Sequence, residues 1–221
     1  RAKSMQKIGG QTMLEMICRT ASYISPKITL IVGFDKKSII EESRNFGLDI
    51  TICEQPVPIG TGDAVKCGIH EVKEASKVLV LYGDVPLIKQ RTIKELVKAS
   101  GDGLSILTTE LDDPYGYGRV KKNPEGYATG IIEEKDASNE EKEIKEVFTG
   151  ILCSSTNILK DSLQEIDNNN ATGEFYLTDI VSIMNNKGIK INTYLASNDE
   201  VKGANSKKEL AQLEAIYRSM N

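Results

Sequence analysis

The chain has 221 residues, a net charge of −4 and charged side chains at 27% of positions. That length holds one large α/β domain or two small ones. The acidic balance argues against a nonspecific nucleic-acid binder, which needs a basic face, and no apolar run approaches the roughly 20 residues that span a bilayer.

Taken in order, the pattern alternates helix and strand. Thr12 to about Ile24 reads as a helix, with Met13, Leu14, Ile17 and Cys18 on one face. Ile28 to Phe34 is an apolar strand, Lys37 to Asn45 a helix stopped by Gly47, and Leu48 to Glu54 a strand. Gly60 to about Val72 is helical, Lys77 to Leu81 a strand, Arg91 to Ala99 a helix and Gly103 to Leu111 a strand. Gly118 to Lys122 and Gly126 to Glu134 form an antiparallel pair about Asn123-Pro124-Glu125-Gly126. After a polar stretch from Asp136 to Lys145, read as a solvated loop or short helix, Val147 to Ser154 is a strand and Asn157 to Ile166 a helix. Leu177 to Met184 is a helix followed by Gly188, and Lys190 to Ala196 is a strand. Lys207 to Met220 is an amphipathic helix with Leu210, Leu213, Ile216 and Tyr217 on its inner stripe. The alternation predicts right-handed crossovers and a doubly wound sheet.

Four cysteines, Cys18, Cys53, Cys67 and Cys153, sit in apolar surroundings without a CxxC spacing. They read as small buried hydrophobes in a reducing compartment, and a cytoplasmic location is expected. The one histidine, His70, has no partner that the sequence can name, so it is read as structural or exposed. No targeting segment is visible; because the chain begins at Arg1 rather than Met, the natural N-terminus is expected upstream.

Four segments carry chemistry. The first is LYGDVPL, Leu81 to Leu87, at the end of an unbroken apolar strand. Ligands in open α/β sheets sit beyond such strand ends. There Asp84 can hold a divalent metal and Gly83 admits a bulky ligand; a carboxylate that only caps the turn is the plain alternative. The second is IGTGDAV, Ile59 to Val65, a strand-to-helix turn in which Thr61 can cap the helix and free amides can meet a phosphate. The third, DPYGYGRV from Asp113, alternates glycine and tyrosine before a hairpin, suiting either a sugar laid against backbone or a turn with packing tyrosines. The fourth, NNNATGEFYLTDIV from Asn168, is a polar loop opening a helix, in which Glu174 can accept from sugar hydroxyls.

These strings, with IIEEKDAS and the following EVFTG, resemble in order and spacing the uridyltransferase domain of bacterial bifunctional N-acetylglucosamine-1-phosphate uridyltransferase / glucosamine-1-phosphate acetyltransferase. The resemblance runs from Met13 to Tyr217. It implies a Rossmann-like, doubly wound, mixed but mostly parallel sheet with a smaller β-rich sugar-binding lobe. Residues 1–221 would form one nucleotidyltransferase domain, about 1–112 serving the nucleotide and about 113–221 the sugar. It places Gln55, Gly60 and Thr61 at the nucleotide, Tyr82 and Gly83 beside nucleotide and sugar, and Gly118, Glu133, Tyr176 and Thr178 at the amino-sugar pocket. Asp84 and Asn205 become the Mg²⁺ ligands. Two protein oxygens suffice, since Mg²⁺ fills its octahedron with phosphates and water. Arg1 would help neutralise the triphosphate.

The chain departs from the family pattern in several places. The family's Gly-rich loop ends where this chain begins, leaving only Arg1 of it. Arg1-Ala2-Lys3-Ser4 fits the next family segment, but alignment back from Met13 leaves the chain about five residues short between Ser4 and Met5. A break in the backbone is therefore expected there, and Lys7 is not equated with the family's catalytic lysine. Pro58 replaces a second glutamine, Phe148 replaces an asparagine facing the sugar, and Ser206 replaces the second asparagine of a terminal pair.

The implied reaction joins UTP and N-acetyl-α-D-glucosamine 1-phosphate, giving UDP-N-acetylglucosamine and pyrophosphate. Its partners would be small molecules, not nucleic acid or membrane, and a homotrimer would require a C-terminal β-helix domain outside this chain. The rivals are another sugar-1-phosphate nucleotidyltransferase, suggested by Phe148 and Pro58, and a catalytically silent nucleotide-sugar-binding module.

Overall fold

A computed structural model describes residues 2–72, 75–204 and 206–220. The elements run β1 (Lys7–Ile8), β2 (Gln11–Thr12), α1 (Met13–Ser22), β3 (Ile28–Val32), α2 (Lys36–Ser43), β4 (Ile50–Glu54), α3 (Thr61–Ile69), β5 (Lys77–Val80), α4 (Gln90–Ala99) and β6 (Leu104–Glu110). There follow β7 (Arg119–Lys122), β8 (Ala128–Ile132), α5 (Asn139–Lys142), β9 (Glu146–Ser155), α6 (Thr156–Glu165), α7 (Asp179–Asn186), β10 (Ile191–Leu195), α8 (Asn198–Val201) and α9 (Lys207–Met220). Among the described residues no helix is long and apolar enough to cross a membrane.

Six strands form one mixed sheet in the order β5-β9-β6-β10-β8-β7, and β3 pairs with β4 in parallel as a separate two-stranded sheet. The mixed sheet is as expected; its mostly parallel pairing is not. Within the six strands only β6–β10 is parallel, because β9 lies antiparallel between β5 and β6. The apolar run of β9 buries both of its faces, as a central parallel strand would, so local pattern cannot give its direction. In the part of the chain assigned to the smaller β-rich lobe, β7 and β8 continue the main sheet, and Arg119 of β7 also pairs with Val147 of β9.

Helices cover both faces, which is the doubly wound feature the alternation predicts. On β6, Leu104 and Ile106 point to a core shared with Val65 and Ile69 of α3, Leu159 and Leu163 of α6, and Ile180 and Met184 of α7. Leu107 points the other way, toward Ile17 of α1, Ile39 of α2, and Ile93 and Leu96 of α4. On β9 the same alternation sends Leu152 to the first core, and Ile151 and Cys153 to the second. Each fully buried Leu or Ile contributes roughly 1.5–3 kcal/mol of transfer free energy. These two layers therefore hold the strand ends, from which the site is built, in fixed positions.

Thr12 caps α1, its hydroxyl accepting from the Glu15 N–H at 3.2 Å. The β1–β2 hairpin and α8 were not expected from the sequence. The hairpin is clamped by α9: the Gly9 N–H donates to Glu214 at 2.9 Å, and Ile8, Met13, Leu87, Ala204 and Leu213 form a third cluster. Lys3–Met5 make one 3-10 turn, the Met5 N–H donating to the Ala2 carbonyl at 3.0 Å. Met5 is buried and anchors this turn in the second core. The cysteines also divide. Cys18 and Cys153 are buried as expected, whereas Cys53 and Cys67 are only partly so; all four are free thiols. His70 follows α3 and is exposed.

Candidate active site

The carboxyl end of β5 turns sharply, the Val85 N–H returning to the Tyr82 carbonyl at 3.2 Å. This turn carries Tyr82, Gly83 and Asp84. A Cβ on Gly83 would sit 3.3 Å from the Ser4 Cβ, so the N-terminal segment lies against the strand end. The same segment is tied across to the end of β3, where the Ala2 N–H donates to Asp35 at 3.0 Å. From the other side comes the segment after α8: a Cβ on Gly203 would be 3.1 Å from the Asp84 carbonyl oxygen and 4.0 Å from its carboxyl carbon. Residues more than a hundred apart in sequence thus meet at Asp84. Asn205, two residues past Gly203, and Arg1 lie outside the described residues.

The nucleotide-side residues are built on the β4–α3 loop. Gln55 Nε2 donates to the Gly60 carbonyl at 3.1 Å and to Asp63 Oδ2 at 2.8 Å, which commits both of its protons. Gly60 has φ 130°, and a Cβ there would fall 2.3 Å from the Phe175 carbonyl oxygen. Only glycine fits. The contact is close because the two loops are sewn together: the Phe175 N–H donates to Ile59 at 2.9 Å, and the Gly62 N–H donates to Phe175 at 2.8 Å. Gly60, not Thr61, occupies the helix-cap position; Thr61 is already helical, and its hydroxyl accepts from the Leu177 N–H at 3.2 Å. Replacing Gly60 by Ala is expected to cost about 2 kcal/mol or more, since it combines left-handed strain with a backbone clash. A denaturant melt checks this, and an unchanged midpoint would contradict the fit.

The sugar-side residues converge at the far end of β8. Glu133 accepts from the Thr178 hydroxyl at 3.0 Å and stands within 3.4 Å of where a Gly118 Cβ would lie. Burial pushes the Glu133 carboxyl up, the Thr178 hydroxyl partly offsets this, and Asp136 adds to the rise. Tyr176 OH and Thr172 Oγ1 are hydrogen-bonded at 2.7 Å. Asn170 organises that loop: its Oδ1 accepts from the Thr172 and Glu174 N–H groups, and its Nδ2 donates to the Glu174 carbonyl at 2.6 Å. Glu134, beside Glu133, pairs with buried Arg119 at 2.7 Å and accepts from the Gly116 N–H at 3.2 Å, which fixes the tyrosine-glycine loop. Phe148 does not face outward as a sugar ligand would. Its side chain joins the core, and its N–H donates to the Gly118 carbonyl at 2.9 Å.

Tyr82 links the two sides. Its ring lies on Gly150, where a Cβ would be 2.6 Å from a ring carbon. Burial raises its phenol to about 12, a hydrogen bond with Thr61 opposes the rise, and the Glu133 and Asp84 carboxylates add to it. Tyr117 is likewise raised, by burial first and then by Glu209 and Asp84. The structure therefore brings together Asp84, Tyr82, Thr61, Glu133, Thr178 and Gly118. A cavity of about 300 Å³ lies elsewhere, between the β7–β8 turn and Lys190, and includes none of them.

Asp63, Ser4, Gly203 and Asp179 are neighbours of the site that sequence reading did not single out. Asp63 lay within the IGTGDAV string, but nothing local showed that it fastens Gln55. Asp179, at the start of α7, is raised to about 6 by burial, then by Asp167, Glu133 and Asp136. Its folded value lies above the ordinary 3.8, so the folded state holds the extra proton. The associated stability is present below about pH 4 and lost as the pH rises through about 6. Asp179→Asn should raise the melting temperature near neutral pH and leave it almost unchanged near pH 4. A gain of equal size at both would contradict the assignment.

Could the site hold a metal? Among the described residues no three His, Cys, Asp or Glu side chains gather into a metal-binding group. Asp84 nevertheless presents a hard oxygen at a strand end with backbone close on two sides. A single carboxylate of this kind fits a Mg²⁺ that takes most of its ligands from phosphates and water.

Residues 1–148 match the family model described as the MobA-like NTP transferase domain. The chain is 38% identical over 219 residues to "Bifunctional protein GlmU" of Neisseria meningitidis serogroup C, covering 98% of this chain and 47% of that protein. It is 41% identical over 217 residues to the protein of the same name from Dechloromonas aromatica, covering 98% and 48%. The chain therefore spans about half the length of the curated relatives it matches. In fold it is similar to the nucleoside-diphosphate-sugar pyrophosphorylase from Vibrio cholerae RC9, with TM-score 0.73, 16% identity and coverage of 97% of this chain and 92% of that one. With residues 1–148 matched, more than half of its length, the chain belongs to the MobA-like NTP transferase domain family and is a nucleotidyltransferase.

Proposed function

We propose that the chain transfers a uridylyl group from UTP to N-acetyl-α-D-glucosamine 1-phosphate, releasing pyrophosphate and forming UDP-N-acetylglucosamine. The observation that carries this reading is the convergence on Tyr82 of the Asp84 end and the Glu133–Thr178 end of one site. One end suits phosphates and the other sugar hydroxyls. The acceptor's phosphate oxygen attacks the α-phosphorus in line and pyrophosphate leaves opposite. The attacker is already an anion, so no side-chain base is needed, and the protein's work is alignment and charge compensation.

Asp84, with Asn205, would hold the Mg²⁺. That ion supplies charge neutralisation at the phosphates when bound. Gln55 Nε2 is committed to Gly60 and Asp63, which leaves Oε1 to accept from a base N–H such as uracil N3. Glu133, half-buried and held by Thr178, accepts from sugar hydroxyls, while the bare backbone of Gly118 lets the ring approach. Tyr176 and the Asn170-ordered loop close the sugar side, and Tyr82 stacks on Gly150 between the substrates. Arg1 would meet the triphosphate.

The test is a substrate panel on the full protein with Mg²⁺: UTP, dTTP, CTP and GTP, each against N-acetylglucosamine 1-phosphate, glucose 1-phosphate and other sugar phosphates. Pyrophosphate release is expected to be fastest with UTP and N-acetylglucosamine 1-phosphate. A faster second pair would replace the substrate assignment, and no release with any pair would favour a silent binder.

A further inference from the structure

We propose that Cys53 and Cys67 form a redox-sensitive dithiol pair, a modification site that a disulfide oxidant closes into an intramolecular disulfide between β4 and α3. The inference goes beyond the proposed transfer reaction and stands without it.

The geometry follows from a fastening already described. The β4–α3 loop reverses the chain, so the helix runs back along the strand. Gln55 extends the strand ladder, its N–H donating to the Val32 carbonyl at 2.8 Å, and its side chain bonds Asp63 at 2.8 Å. Two residues back along a strand is about 6.7 Å and returns to the same face, which reaches Cys53. Four residues on along a helix is about 6 Å and returns to nearly the same face, which reaches Cys67. The two steps are nearly equal, so the pairing at Gln55–Asp63 recurs one level down as Cys53 against Cys67.

Two further observations agree. Cys53 is the parallel register partner of Ile31, and a Cβ on Gly68 would be 2.7 Å from Ile31 Cδ1. The face of the β3–β4 pair that bears Ile31 and Cys53 is thus the face that α3 covers. Cys53 is among the groups that raise the Cys67 thiol, after burial and Asp63, which puts the two thiols within electrostatic reach. Burial and then Glu71 raise the Cys53 thiol, so both exchange slowly at neutral pH and faster as the pH rises. Both thiols keep partial exposure, whereas Cys18 and Cys153 are buried in the second core, so the molecule carries its own controls.

The step is thiol–disulfide exchange. One cysteine thiolate attacks a sulfur of oxidised glutathione, forming a mixed disulfide and releasing one glutathione thiolate. The second cysteine thiolate attacks the protein sulfur of that bond and releases the other glutathione thiolate. Two protein thiols are oxidised, one disulfide is reduced to two thiols, and the two protons pass to glutathione. The product ties the base of the loop carrying Gln55, Gly60 and Thr61.

The full protein would be incubated with excess oxidised glutathione at about pH 8, where thiolate is more abundant, then denatured, alkylated, digested without reductant and read by mass spectrometry. The expected result is a Cys53 peptide joined to a Cys67 peptide, with Cys18 and Cys153 alkylated, a raised melting temperature, and full reversal by dithiothreitol. In Cys53→Ser and Cys67→Ser the remaining thiol should stop at the glutathione adduct, with no rise in melting temperature. Recovery of Cys53 and Cys67 from the wild-type protein as free thiols or as separate glutathione adducts would overturn the pairing, as would a link to Cys18 or Cys153.

Discussion

Asp84→Ala should lower turnover by about 10³-fold or more, because it removes the one described carboxylate at the strand end. The magnitude follows from the charge problem. Each pair of unit charges about 4 Å apart repels by about 4 kcal/mol at an effective dielectric of 20. A triphosphate and a sugar phosphate bring several such pairs together, and the barrier falls tenfold for every 1.36 kcal/mol relieved. The fold should survive. Asp84 is only half-buried, and its described contact at Gly203 is with backbone, so the melting temperature should move by no more than a few degrees. Steady-state assays with Mg²⁺ titration, read beside a thermal melt, check both parts. Near-normal turnover in a folded variant would remove Asp84 from the mechanism.

At the other end of the site, Glu133→Ala should raise the KM for the sugar phosphate by about 10- to 100-fold, from the loss of about 1.5–3 kcal/mol in a charge-assisted hydrogen bond. The KM for UTP should stay within about twofold, since the nucleotide loop is held by Gln55, Asp63 and Phe175. Glu133→Gln should fall between, because an amide oxygen still accepts. A change in the UTP constant instead would put Glu133 on the wrong substrate.

Much of this site is legible in the sequence, for reasons that differ between residues. Asp84 is found because an unbroken apolar run announces its own end and the turn after it is short. The run suggests a strand buried on both faces, whereas in the fold β5 is a partly buried edge strand antiparallel to β9. Gly60 is found through the family resemblance, since a glycine before a helix start is by itself equally well a plain cap. Its actual constraint, the Phe175 carbonyl, comes from a loop over a hundred residues away and leaves no local mark. The same holds for Gln55 with Asp63: both residues sit in singled-out strings, yet their bond depends on how the loop folds back. The direction of β9 is hidden for the opposite reason, since a strand buried on both faces carries the same apolar pattern whichever way it runs. The cysteines illustrate a limit of composition. All four sit among apolar neighbours, but Cys53 on β4, an edge strand, and Cys67 on α3 are only partly buried. Phe148 stands where the family pattern has a sugar-facing asparagine; in the fold its side chain joins the core, and only its N–H reaches the Gly118 carbonyl.

The central claim is that the Asp84 carboxylate anchors a magnesium ion between two anionic substrates. The most direct measurement is a crystal structure of the full protein with UDP-N-acetylglucosamine and Mg²⁺. The prediction is a Mg²⁺ about 2.0–2.1 Å from an Asp84 oxygen, with the product phosphates completing its shell and the sugar against Glu133. A nucleotide sugar bound with its phosphates and metal away from the β5 turn would contradict it.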